Sequence, residues 1–154
     1  MTFDCLIGIL VPVRVKKGAV MSGSILKISE AASIALHSMI ELAKSKDKLI
    51  SVKDIAAKLD VSANHLSKVL QRLTKSGYIV SIKGFNGGFK LAVKPENLTF
   101  LEIYELFDGK LKDTNCILAR KECAEKCIFG GLVASITDQV RDKFENTKLS
   151  DFIK

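Results

Sequence analysis

Between Ser51 and Gly88 the chain carries two apolar stripes at helical spacing, a break between them and a glycine-tipped pair of β-type runs, and few folds accept that order. Ser51 is placed to cap a short helix with Ile55, Ala56 and Leu59 on its inner face. Asp60-Val61 then makes a tight turn. Ser62 caps a longer helix that should run to about Ser76 and stop at Gly77. The apolar stripe of that helix is Leu66, Val69, Leu70 and Leu73. The β-type runs are Tyr78 to Ile82 and Phe89 to Val93. Their tip, Lys83-Gly-Phe-Asn-Gly-Gly88, has glycines able to take the positive φ angles of a hairpin turn. Two helices, a tight turn and a hairpin are the parts of a winged helix-turn-helix. The expected class is therefore mainly α with a small β-hairpin wing.

Further helices flank this unit. Ser29 can cap a helix in which Ala32, Ala35, Leu36, Met39, Ile40 and Ala43 recur at spacings of three and four, ending near Lys44 to Lys46. Pro95 ends the second β run. Thr99 caps a helix from Phe100 to Phe107, closed by Asp108-Gly109. A polar segment bearing cysteines follows. The last helix should run from about Ile128 to Asn146, with Leu132, Ile136, Val140 and Phe144 at helical spacing. Residues 1–20 differ in character, since Val11-Pro-Val-Arg-Val reads as extended and Lys16-Lys17-Gly18 breaks it. They are expected to form a weakly ordered arm, with Met21 as an alternative start. The expected division is 1–20 as this extension, 21–96 as the winged helix-turn-helix and 97–154 as the cysteine-bearing loop with dimerisation helices.

Charge is distributed unevenly. The formal net charge is +7, but no Asp or Glu occurs from Val61 to Pro95, where Lys68, Arg72, Lys75, Lys83, Lys90 and Lys94 fall. Solvated faces normally mix both signs. A one-signed stretch on a helix and hairpin is the footprint of a polyanion partner, here double-stranded DNA. The face of the third helix opposite its apolar stripe holds Asn64, His65, Ser67, Lys68, Gln71, Arg72 and Lys75. Asn and Gln can bond adenine edges, and Arg or Lys can bond guanine. In this geometry the N-terminal residues of the recognition helix reach furthest into the major groove. Ala63, Asn64, His65, Ser67 and Lys68 are therefore the candidates for base edges. Lys75, Lys83 and Lys90 are candidates for the phosphate backbone. Ser62, Gln71, Arg72 and Asn86 complete the expected DNA-facing set.

The chain has four cysteines, Cys5 alone and Cys116, Cys123 and Cys127 together. No secretory signal is evident. The apolar run Leu6 to Val13 is far too short to span a bilayer, and it precedes rather than follows its basic residues. A cytoplasmic protein without a membrane partner is expected. There, clustered cysteines bind metal or do redox chemistry more often than they form disulfides. Three thiolates with Arg120, Lys121 and Lys126 nearby suit an iron–sulfur cluster, zinc or copper(I). No Cys-x-x-Cys pair, Gly-rich cofactor loop or Ser/His/Asp set argues for an enzyme.

The stretch Ile28-Ser-Glu-Ala-Ala-Ser-Ile-Ala-Leu-His37, the segment Ile55 to Leu73 and the wing Lys83-Gly-Phe-Asn-Gly-Gly-Phe-Lys-Leu-Ala92 resemble the Rrf-two family of regulators. That family includes iron–sulfur cluster regulators and nitric-oxide sensors. The resemblance covers about residues 25–150. It implies a homodimer on a palindromic operator, with the long C-terminal helix carrying the dimer interface. It also implies a cluster, of the [2Fe-2S] kind, that tunes DNA affinity. Cys116, Cys123 and Cys127 would be three of its ligands, and the fourth would come from the N-terminal helix, of this or the partner subunit. Ser33 stands where some relatives carry an acidic ligand. His37, one turn later, is the candidate here. The gaps between the three cysteines are six and three residues, which departs from the even spacing of the family and leaves zinc or bare redox thiols open.

Overall fold

The computed structural model describes residues 28–46, 48–84, 86–111, 128–129 and 131–153. Cys5, Cys116, Cys123 and Cys127, and the reading of residues 1–20 as an arm, lie outside the described residues. In order, the elements are α1 (Glu30–Lys44), α2 (Val52–Leu59), α3 (Ala63–Lys75), β1 (Ile79–Ile82), β2 (Gly88–Leu91), α4 (Phe100–Asp108) and α5 (Leu132–Asn146). Short 3-10 turns stand at Pro95–Asn97 and Leu149–Phe152.

The helix starts are set locally. The hydroxyls of Ser29, Ser51, Ser62 and Thr99 each accept from the backbone N–H three residues on, the orphan donors of a first turn. Thr99 and Glu102 reciprocate in a capping box. Asp60 ends α2 in the left-handed conformation, with φ 51° and ψ 45°, and so makes the sharp turn into α3. The end of α3 is a Schellman cap: Gly77 has φ +78°, its N–H bonds Thr74 O at 3.1 Å, and Tyr78 N–H bonds Leu73 O at 3.1 Å. Because the Tyr78 N–H serves that cap, β1 begins at Ile79 and not at Tyr78.

β1 and β2 pair antiparallel, with Ile79 opposite Leu91 and Ile82 opposite Gly88. The second strand therefore starts and ends earlier than its β-type run, and the chain bends at Ala92-Val93 before Pro95. Ile50 adds a bridge that the sequence pattern does not announce. Its N–H bonds Phe89 O at 3.0 Å, and Phe89 N–H bonds Ile50 O at 2.9 Å. The wing is thereby tied to the segment between α1 and α2. The tip glycines have different tasks from those expected of all of them. Gly84 takes φ +125°, whereas Gly87 and Gly88 do not have positive φ. Their role is close approach: a Cβ on Gly88 would lie 2.7 Å from Ile50 O, and one on Gly87 would strike Ile82 O.

One core joins these elements. Met39, Leu42, Ile55, Leu66, Leu70, Leu73 and Ile79 are fully buried, and Leu98, Ile103 and Leu149 belong to the same cluster. Helix α4 and the 3-10 turn after α5 thus share the core of the helix-turn-helix, while α5 packs on α4. Beyond α5 the chain returns to that core. Leu149 N–H bonds Leu98 O at 3.0 Å, Phe100 N–H bonds Thr147 O at 2.9 Å, and Phe152 stacks on Phe100 at 5.1 Å between centroids. α5 itself starts at Leu132, later than its apolar pattern suggests, because Ile128 and Phe129 form a turn and Gly131 caps in the left-handed region. Its buried face is then centred on Val133, and Phe144 packs edge-on to Tyr104, while Leu132 is half exposed.

Candidate nucleic-acid interface

Helix α3 lays Leu66, Val69, Leu70 and Leu73 on the core and turns its other side to solvent. Helical geometry divides that other side into two strips. Asn64, Lys68, Gln71 and Lys75, spaced by four, three and four residues, stand directly opposite the core stripe, and all are exposed. Ala63 and Ser62 are exposed at the N-terminus, where Ser62 Oγ accepts from His65 N–H at 3.1 Å. No acidic residue of α3 itself stands in its first turn. Ser67 is half-buried, and its hydroxyl donates to Ala63 O at 2.7 Å.

His65 and Arg72, seven residues apart, form the second strip on the flank of α3. His65 Nδ1 lies 3.7 Å from Glu30 Oε1 in the first turn of α1. The Arg72 guanidinium sits 4.9 Å from the centroid of Phe107, in the last turn of α4. A cation over an aromatic face is worth about 0.5–1 kcal/mol at exposed sites. These two ends are themselves joined, because Ser29 N–H donates to Asp108 Oδ2 at 2.8 Å. The Arg72–Phe107 and Ser29–Asp108 contacts join residues far apart in the chain, so no local sequence signal marks them.

The wing follows immediately from the Schellman cap, which keeps it beside α3. Lys83 and Asn86 are exposed at its tip, and Lys90 is half-buried opposite Val80. The helix and hairpin together present the basic side chains with no carboxylate among them, since Val61 to Pro95 contains none. Such a surface can dock an element in the major groove and brace it on flanking phosphates.

The profile of the Rrf2 family, described as an iron-dependent transcriptional regulator, matches residues 28–154. This chain belongs to the Rrf2 family. An HTH-type transcriptional regulator of Aquifex aeolicus is 33% identical over 129 residues, covering 81% of this chain and 90% of that protein. The structure of CymR, the global cysteine regulator of Bacillus subtilis, superposes with a TM-score of 0.70 at 31% identity, over 82% of this chain and 95% of that one. The oxidized form of Staphylococcus aureus CymR gives 0.65 at 30%, over 80% and 93%. The winged helix-turn-helix is thus the Rrf2 fold, and the chain is a DNA-binding transcriptional regulator of that family, not an enzyme. Among the described residues, no helix is long and apolar enough to cross a membrane.

Of the expected cofactor ligands of this Rrf2 regulator, only His37 falls among the described residues. It is exposed on α1, and its Nδ1 lies 2.8 Å from Ser33 O, one turn back. A carbonyl only accepts, so this contact uses Nδ1 as the donor and leaves Nε2 pointing away from the bond. This is how a metal-binding imidazole is oriented by a backbone partner. Among the described residues, no group of three or more His, Cys, Asp or Glu is placed to hold a metal.

Proposed function

We propose that this Rrf2 regulator acts in the cytoplasm as a homodimer on a palindromic operator, and that an iron–sulfur cluster held by Cys116, Cys123 and Cys127 sets its affinity for DNA. The observation that carries the reading is the trio of cysteines, with six and three residues between them, in the segment between α4 and α5. Thiolates are the donors such clusters take, and neighbouring Arg120, Lys121 and Lys126 favour the thiolate form. His37 is the proposed fourth ligand, since its Nε2 is left available by the Ser33 bond. When bound, the cluster would supply a redox- and nitric-oxide-sensitive centre whose loss or modification changes the state of the protein.

The DNA contacts proposed for this reading are base edges from Asn64 and Lys68 and phosphates from Lys75, Lys83 and Lys90, with Gln71 and Asn86 beside them. Dimerisation through α5 is supported by Ile128, Phe129 and Leu132, large apolar side chains exposed together at its N-terminal end. The test of the sensing claim is anaerobic reconstitution with iron and sulfide, followed by visible absorption and iron and sulfide assays. Charge-transfer bands with stoichiometric iron and sulfide are expected. A colourless, iron-free protein contradicts it.

A second reading keeps the same fold and DNA surface but replaces the cluster with zinc or a thiol switch. It is favoured by the uneven cysteine spacing and by the 30% identity to a CymR captured in an oxidized form. Metal analysis of protein purified without oxygen separates the two.

A further inference from the structure

We propose that Arg72 acts on the operator as a positioning residue, by seating the flank of α3 on the junction of α1 and α4, and that the direct contacts come from the neighbouring strip. The inference rests on the DNA-binding assignment but not on the identity of any cofactor. Three contacts meet at this junction. Arg72 lies over Phe107, His65 faces Glu30, and Asp108 accepts from Ser29 N–H. The two residues of α3 involved are those on its flank, while Asn64, Lys68, Gln71 and Lys75 point straight away from the core stripe.

The geometry assigns different work to the two strips. The Arg72 guanidinium lies over the Phe107 ring, and swinging it out to a distant phosphate would forfeit that contact. What Arg72 does in place is fix the roll of α3 about its own axis. The apolar stripe alone holds the helix against the core, but side chains of similar size tolerate small rotations. A second attachment on the flank removes that freedom. Base readout depends on a bidentate fit, so a roll of the recognition helix costs specific contacts while leaving the number of neutralised phosphates unchanged.

The junction has a further property. The turn that grips Arg72 continues to Leu111, whose N–H lies 3.3 Å from Glu105 Oε1 and whose carbonyl accepts from Arg141 Nη2 at 2.8 Å. The end of α4 is therefore tied to α1, α3 and α5 at once.

The experiment measures full-length protein on an operator selected from a random duplex pool, and on a random duplex, across a salt series. Arg72→Met and Phe107→Leu should each weaken operator binding about two- to fivefold. Random-duplex binding and the slope of log K against log salt should stay at wild type. The double variant should be no weaker than either single, because both remove one contact. Phe107→Tyr, which keeps the ring, should bind as wild type. Lys68→Ala serves as the contrast, with a slope reduced by about one. Thermal unfolding shows whether each variant is folded at the assay temperature, and Phe107→Tyr with Arg72→Met keeps the test open if Phe107→Leu is not. A reduced slope in Arg72→Met, additive losses in the double variant, or wild-type operator binding by both singles overturns the proposal. Failure of the wild type to select any operator would instead strike at the DNA-binding assignment.

Discussion

Lys68 stands in the middle of the outward strip of α3, exposed and without a carboxylate anywhere from Val61 to Pro95. A lysine so placed can neutralise a phosphate or donate to a guanine edge. Lys68→Ala should weaken DNA binding and flatten its salt dependence by about one unit of slope, read by fluorescence anisotropy across a salt series. Gly88 works by steric necessity. Its Cα faces the Ile50 carbonyl so closely that a methyl group would lie 2.7 Å from the oxygen. Gly88→Ala must push the wing from Ile50, breaking the pair of bonds between Ile50 and Phe89. A loss of about 1–3 kcal/mol is expected in denaturant unfolding, with an intact α-helical signal.

At the scale of elements, the serine and threonine caps were legible because capping is local: Ser29, Ser51, Ser62 and Thr99 act within three residues of themselves. The two apolar stripes of the helix-turn-helix were legible for the same reason. What local pattern could not show is where distant segments meet. The Ile50 bridge, the return of Leu149 to Leu98 and the Arg72–Phe107 contact all join residues far apart in the chain. The displaced start of α5 has another cause, since Ile128 and Phe129 continue an apolar spacing that Gly131 interrupts. Helices α1 and α2 are braced by Lys58 Nζ and Glu41 Oε2 at 3.0 Å. The hydrogen bond from Lys58, aided by the charges of Lys58 and Lys44, holds the Glu41 carboxyl below its ordinary pKa against the opposing effect of partial burial. A depressed carboxylate stabilises the fold above its unfolded pKa, and that contribution is lost as pH falls through the folded value. Both groups touch solvent, so Glu41→Gln should cost well under about 1 kcal/mol at neutral pH. The difference from wild type should vanish in acid below the ordinary carboxylate range, as urea midpoints at both pH values will show.

Among the described residues, one core packs the recognition helix, the base of the wing, α4 and the turn after α5 together. The proposed second copy, packed through α5, would cover the apolar side chains exposed near the start of that helix and match the proposed palindromic site. Leu132→Asp should shift the protein from dimer to monomer in light scattering at micromolar concentration and abolish cooperative operator occupancy. An unchanged dimer would place the interface elsewhere. Sequence reading by α3 and the wing can be checked by selecting sites from a random duplex pool and competing the enriched site against random duplex at fixed salt. An inverted repeat bound at least about a thousandfold tighter than random DNA is predicted. Enrichment of no sequence, with equal affinity for both duplexes, would contradict it.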